Sequence, residues 1–540
     1  MWIPTVLIGL WALFVWALYR DRKRKHKIFR KLGIPGPEPH WWYGNIKQLK
    51  TKTRISHETF QMWAKEYGNT YGYFEGPTPI LVSNDLDLIK QVFIKQFGKF
   101  HGRKHYHVQP DPLSDRICSM FVAQGQRWKR LRTILNPNFS SGKIKHSTTM
   151  MNRKAEILMN KLKAIAETGE PFNIQQILQQ FALDVIGEAA FGIEIDAQSD
   201  AHTPLMTLIE GAVDQDFNQL AVFAPIPELR YTLYKGILFL SKFMSLPEIE
   251  LLAVMEKILK MRREQPQRNP PDLMQLMIDA EASDDHGPLE IAMDDDGDQA
   301  SDLSKESVDI NLSETERSRH AAELAKRKLT TEEIKVQSLF FMYAGFETSS
   351  SVLTYCMYAL ATNPDKQQLL YDEINKNIQD EGDLTYDKIN GLLYLDMVLR
   401  ETLRMYPLGT LATTRRCVES CTINGLTIPE GMVIQPNIWD IHYDPNLWGP
   451  IDSKVFEPER FTPDCRAKRH PLAWIPFGVG PRNCMGLRFA WLEMKIVLAK
   501  LIKNFRVLKC SQTIIPLKLT ESTVIIAPKG GLKIKLQNRN

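Results

Sequence analysis

A single cysteine in a glycine-rich loop that runs directly into an amphipathic helix constrains this chain more than any other feature. The loop reads Phe477-Gly-Val-Gly-Pro-Arg-Asn-Cys-Met-Gly486, and the helical pattern starts near Leu487. Gly480 and Gly486 carry no Cβ, which suits backbone that must approach a flat ligand or its axial atom closely. Arg482 offers a planar fork matched to a carboxylate. Cys484, on the loop feeding a helix N-terminus, is favoured as thiolate by the helix dipole and would be more so by a metal. A merely buried free cysteine would leave Phe477, Gly480, Arg482 and Gly486 in fixed register without a purpose. A dinucleotide-binding loop is excluded, because Gly478-x-Gly480 continues into Pro481 and follows no βαβ pattern.

Around this loop the pattern is mostly helical. Apolar residues recur at three- and four-residue spacing over 148–167, 174–191, 250–263, 331–361, 364–378, 387–405 and 485–503. Strand signals are few: residues 70–83 read as a hairpin about Gly76-Pro77, and residues 422–434 as another about Asn424-Gly425. The expected fold class is mainly α with small β-sheets. A chain of 540 residues, 44% of them hydrophobic, can bury a large core. The net charge of +5 is too weak over this length to imply a nucleic-acid partner. Seven cysteines, an odd number thinly spread, form no disulfide framework and suit a reducing compartment.

Residues Met1 to Tyr19 are apolar except for Thr5, and as a helix they would extend about 28 Å, enough for a hydrocarbon core. Eight Lys or Arg between Arg20 and Lys31 then hold the following segment on the cytosolic side. The expectation is one transmembrane helix over 1–19, a basic and Pro-rich linker over 20–49, and a globular body over 50–540. A cleaved signal peptide would carry charge before the apolar run and a small-residue site after it, and neither is present. Residues 279–316 hold fourteen Asp or Glu against one Lys and no aromatic residue, so they read as an acidic insertion unable to order itself. The apolar stretch from Leu220 to Met244 suits membrane contact, a pocket roof or core equally.

The cysteine loop meets every position of the FxxGxRxCxG signature of the cytochrome P450 family, and the chain resembles that family from about Pro35 to Lys535. The resemblance implies the P450 fold, haem b (iron protoporphyrin IX) as cofactor, and Cys484 as its iron ligand, with Phe477, Gly480 and Gly486 shaping the loop around it. Glu401-Thr-Leu-Arg404 resembles the family's ExxR helix and Phe456–Phe461 its PERF segment, which implies a buried Glu401, Arg404 and Arg460 network locking the loop. Ala344-Gly-Phe-Glu-Thr-Ser349 resembles the oxygen-activating stretch of the long central helix. There Gly345 would thin the helix over the haem face, and Glu347 and Thr348 would be the catalytic residues, holding a water chain that delivers protons. Trp128-x3-Arg132 resembles the WxxxR helix, and Trp128, Arg132, Arg415 and Arg482 would then meet the haem propionates. His442-x-Asp444-Pro-x-x-Trp448 also matches a family segment, with a packing role. His101, His105 and His107, at the expected pocket entrance, read as solvated loop residues.

The implied function is a haem-thiolate monooxygenase placing one oxygen atom of O2 in a lipophilic steroid, lipid or xenobiotic, most similar to the animal microsomal drug- and steroid-oxidising branch. No flavin or nicotinamide loop is recognisable, so electrons would come from NADPH-cytochrome P450 reductase, with cytochrome b5 a second candidate donor, docking near Lys129, Arg130 and Arg488. Its place would be the endoplasmic reticulum membrane, single-pass, with the catalytic domain cytosolic. Two alternatives are a haem-thiolate isomerase acting on a peroxide without reductase and a non-catalytic haem or lipid binder. The Glu347–Thr348 pair argues against both, since neither needs a proton relay.

Overall fold

The computed structural model describes residues 2–51, 54–199, 203–213, 221–243, 246–265, 271–281, 328–379, 384–522 and 525–539. Residues 282–316 of the acidic stretch, Met1, and the side chains of residues 2–4 and 11 lie outside that description.

Seven helices carry the argument: α1 (Trp2–Lys25), α2 (Gly125–Leu135), α3 (Ser141–Thr168), α4 (Ile174–Phe191), α5 (Thr331–Thr362), α6 (Leu393–Met405) and α7 (Leu487–Asn504). The largest apolar core joins α3, α4, α6, α7 and the C-terminal half of α5, with Leu158, Leu178, Leu353, Leu399 and Leu498 fully buried. Helix α5 is buried on nearly every face from Ser349 to Ala361, a stretch with no charged residue, in which Ser350 and Thr354 return their hydroxyl hydrogen bonds to the helix backbone. Its start is fixed by a capping box: Glu333 N–H donates to Thr330 Oγ1 at 3.2 Å, and Thr330 N–H to Glu333 Oε2 at 3.3 Å. The helical pattern expected over 387–405 is broken in two at Gly391 and Leu392, where the chain turns extended before α6.

The expected first hairpin forms from β1 (Thr70–Glu75) and β2 (Thr78–Ser83), with Tyr73 opposite Ile80. The second is shorter than expected. Strands β4 (Cys421–Ile423) and β5 (Leu426–Ile428), which follow β3 (Arg415–Arg416), pair around Asn424 and Gly425, both at positive φ. Pro429 and Gly431 then redirect the chain, and β6 (Val433–Pro436) joins the first sheet, parallel to β2 and antiparallel to β3. That sheet, ordered β1-β2-β6-β3, sets Arg415 at its inner edge.

Among the described residues no helix is long and apolar enough to cross a membrane, so the span expected over residues 1–19 is not found there. Those residues belong to α1, whose Val6, Leu7, Ile8, Leu10, Leu13, Phe14 and Trp16 are each at least 55% exposed. The segment expected as a linker packs on the first sheet: Gly72 N–H donates to Pro35 O at 2.9 Å, and Asn45 N–H to Phe74 O at 2.6 Å. Arg22 is buried and forks onto Glu228 at 3.1 and 2.9 Å, tying the end of α1 to the segment Pro227–Leu229.

Candidate active site

The cysteine loop is built by short-range hydrogen bonds. Gly478 N–H donates to Ile475 O at 3.0 Å, Asn483 N–H to Gly480 O at 2.9 Å, and Cys484 N–H to Phe477 O at 2.9 Å. Gly480 sits at φ +75°, and any Cβ there would collide with the Phe93 carbonyl. Glycine is therefore demanded at that position by the protein's own backbone. Gly486 is under no such pressure, since a Cβ would meet only Phe139 Cε1 at 3.9 Å.

Beneath the loop lies the ion-pair network. Arg404 donates to Glu401 through Nε at 2.7 Å and Nη2 at 2.8 Å, with both side chains fully buried, and Arg460 Nε lies 3.4 Å from Glu401 Oε1. Glu401 Oε1 also accepts from Glu457 N–H at 2.9 Å. The segment matching His442–Trp448 does more than pack: His442 bridges Arg404 and Ile475.

Between the loop and α5 lies a cavity of about 1130 Å3, lined by Cys484 and by Gly345 and Thr348 of α5. Protein surrounds Cys484 on all sides, yet its side chain has accessible surface, because that surface faces the cavity. Burial raises the Cys484 thiol above its ordinary value, against the lowering effects of a Gly486 backbone hydrogen bond and the Arg132 and Arg103 guanidinium groups.

Arg482, Arg415, Arg132 and Arg103 all line the same cavity. Arg482 donates to Ala123 O and stacks on the Trp128 ring at 4.5 Å, while its Nε and Nη1 have no hydrogen-bond partner. Arg415 donates to Thr414 O at 2.8 Å and Val479 O at 3.1 Å, leaving Nε unpartnered. Arg132 of α2 holds Asn483 O at 3.1 Å and Asn483 Oδ1 at 3.0 Å, so it fastens the cysteine loop. Arg103, which sequence reasoning passed over, donates to Ala412 O at 2.8 Å and lies over the Phe121 ring at 4.3 Å. No signal marked Arg103, because a lone arginine in a polar stretch normally belongs to solvent. Burial, with mutual repulsion added, depresses Arg482 and Arg415 well below the usual arginine range and brings Arg103 down to about 10. No carboxylate pairs with Arg103, Arg415 or Arg482 among the described residues, a buried positive charge that calls for an anionic ligand.

On α5 the expected acid and hydroxyl serve different faces. Thr348 Oγ1 donates back to Ala344 O at 2.6 Å, whereas Glu347 accepts from Gln179 Nε2 at 3.2 Å and Ser351 Oγ at 3.4 Å. A Cβ on Gly345 would lie 2.7 Å from Ile186 Cγ1, so this glycine first of all lets α4 approach α5. The three histidines, expected as solvated loop residues, are half-buried and partnered: His101 accepts from Gly125 N–H at 3.3 Å, His105 meets Gln124 Nε2 at 2.6 Å, and His107 lies 3.8 Å from Glu75. Burial lowers them to about 4, 3 and 4. Arg130, expected to face a redox partner, is committed to Glu333 at 2.6 Å.

The family model described as cytochrome P450 matches residues 34–536. The chain belongs to the cytochrome P450 family. It is 31% identical to cytochrome P450 3A41 of Mus musculus over 534 residues, covering 98% of this chain and 96% of the mouse protein. Against cytochrome P450 3A7 of Homo sapiens the figures are 32% over 554 residues, with 100% and 98% covered, and against cytochrome P450 3A29 of Sus scrofa 31% over 529 residues, with 96% and 94% covered. As a P450 monooxygenase it takes haem b, held through a cysteine thiolate. The residues present fit that group: Cys484 supplies the thiol, and Arg415 and Arg482, which line the cavity and keep buried guanidinium nitrogens without a partner, carry positive charge that two propionates would neutralise.

Proposed function

We propose that this P450 places one oxygen atom of O2 in a lipophilic small molecule, of the steroid, lipid or xenobiotic kind, with electrons from NADPH-cytochrome P450 reductase. The observation that carries this reading is one cavity holding the Cys484 thiol on one side, Thr348 on the other, and unpaired arginines at its margin. Haem b, bound through Cys484, supplies the activation of dioxygen. Arg103, Arg415 and Arg482, with Arg132 and Trp128, line the cavity and would hold the propionates of that group. Phe121, Ile186, Phe340, Leu408 and Ala412 give the cavity apolar walls that receive a lipophilic substrate and exclude water. The Thr348 hydroxyl, on the cavity wall, passes protons that Glu347 takes up from solvent. Helix α1 anchors the chain in the endoplasmic reticulum membrane, which its exposed apolar side chains support, and residues 50–540 form the cytosolic catalytic body. Lys129 and Arg488 remain as basic contacts for the reductase, with cytochrome b5 as a further donor.

The test is the absorption spectrum of the dithionite-reduced, CO-bound protein beside Cys484→Ser, together with oxygen uptake in the presence of reductase and NADPH. A strongly red-shifted Soret band confined to the parent, and uptake that requires both reductase and NADPH, are expected. The same histidine-type band in both proteins would overturn the ligand assignment.

A further inference from the structure

Glu347 and Thr348 are consecutive on a helix, so their side chains leave it about 100° apart. Thr348 lines the main cavity with its hydroxyl proton given to Ala344 O. Glu347 reaches that cavity too, but it also lines a second, polar cavity of about 520 Å3 on the α4 side of α5. The outer wall of the second cavity includes Gln176, Glu210, Thr520 and Gly530, all exposed to solvent, while Glu347 at its inner end is 6% exposed. What turns the carboxylate toward this side is Gln179 of α4, half-buried in the cavity wall, whose Nε2 donates to Glu347 Oε2 at 3.2 Å. Ser351 Oγ, one turn further along α5, holds the other oxygen at 3.4 Å.

We propose that Gln179 is a positioning residue for proton delivery: it holds the Glu347 carboxylate where the two cavities meet, so that protons reach α5 through the polar cavity and not past the lipophilic substrate. This rests on the reading of Glu347 and Thr348 as the proton-handling pair. A carboxylate at so buried a point needs donors, and Gln179 supplies the one that reaches it from the polar cavity wall, beside that of Ser351. An amide is suited to the task because it orients the carboxylate without a charge of its own. A lysine there would lock the carboxylate in an ion pair, whereas a neutral donor lets it take up a proton and release it toward Thr348.

The experiment uses the haem-loaded full chain in three forms: parent, Gln179→Leu and Glu347→Gln, with Gln179→Met as a second version of the first change. Two quantities are read: hydrogen peroxide released per NADPH consumed with reductase present, and the infrared carboxyl bands of the ferric protein without reductase. The CO-bound spectrum certifies that each variant is folded and ligated. The expected result is a severalfold rise in peroxide per NADPH in both Gln179 variants and in Glu347→Gln, with the infrared band that vanishes in Glu347→Gln displaced in the Gln179 variants. If Glu347→Gln raises peroxide but the Gln179 variants match the parent in both readouts, the positioning role is overturned while the relay stands. If Glu347→Gln itself leaves peroxide unchanged, the relay falls and the role of Gln179 falls with it.

Discussion

Arg404 and His442 hold each other in both directions: Arg404 Nη1 donates to the His442 carbonyl at 2.7 Å, and His442 Nδ1 bonds the Arg404 carbonyl at 3.1 Å. The imidazole's other nitrogen, Nε2, accepts from Ile475 N–H at 3.1 Å, so the proton resides on Nδ1. Ile475 stands two residues before Phe477, whose carbonyl receives the Cys484 N–H. One neutral imidazole thus transmits the position of α6 to the cysteine loop.

His442→Phe strands the Ile475 N–H and a buried carbonyl, a cost of about 1–3 kcal/mol for each group left unpaired. The expected outcome is a lower melting temperature and a reduced haem-to-protein ratio. Burial, reinforced by Arg404, brings His442 down to about 3 from an ordinary 6.5. Its contribution to stability is therefore present above pH 6.5 and lost as pH falls toward 3, at up to about 1.4 kcal/mol per pH unit. Denaturant titrations of the parent and His442→Gln between pH 4 and 7 should differ in slope; identical slopes would remove His442 from this account.

Glu401 is the only carboxylate facing Arg404 and Arg460 in their ion pairs among the described residues, and it is fully buried. Replacing it by Gln keeps the shape but leaves two buried guanidinium groups without a counter-charge, a loss of about 3–5 kcal/mol. The measurement is the urea midpoint of the haem-loaded protein. A shift of less than about 1 kcal/mol, the ordinary value of a surface pair, would show that the network is more hydrated than its burial implies.

The cysteine loop, the ExxR and PERF pair and the central helix were legible because each couples a residue type to a fixed spacing. Arg415 and Arg482 were found by resemblance, and the structure brings them together with Arg103, which no local pattern distinguishes. Gln179 and Glu493 were invisible for a related reason: each meets its partner across α5 from a different helix, and periodicity reports which face is apolar, not which polar residue it meets. The second hairpin was overextended because a run of β-branched residues does not say which sheet it joins; Gly431, at φ +85°, decides that. The histidines at 101, 105 and 107 read as solvated in the sequence because a polar stretch gives no sign of the Gln124 and Glu75 side chains that pack against it.

Gly480 and Gly486 look equivalent in the signature but not in space. Gly480→Ala must adopt a left-handed φ of +75° and drive its methyl into the Phe93 carbonyl, so the yield of folded protein should fall sharply. Gly486→Ala finds ordinary contact distance to Phe139, so folded yield should hold and any defect should appear in haem affinity. Comparing soluble yield and haem titration for the two variants checks this; equal loss of folded yield would mean that the loop is constrained at both positions by the protein itself.

Glu493 of α7 is the remaining buried acid at this site, 2% exposed and lining the cavity, with a hydrogen bond from Ser349 of α5. Burial pushes its carboxyl up from an ordinary 4.5 to about 8, and the Ser349 bond opposes that only in part. In the unfolded chain the group loses its proton near 4.5, while the folded protein keeps it until about 8. Between those values the folded state binds the extra proton, so its stability falls as pH rises, by up to about 1.4 kcal/mol per pH unit, and levels off above the upper one. Glu493→Gln keeps a partner for Ser349 and removes the titration, so its unfolding free energy should run flatter than the parent's from pH 5 to 8. Parallel curves for the two proteins would assign the pH dependence to other groups and place Glu493 among the ionised side chains.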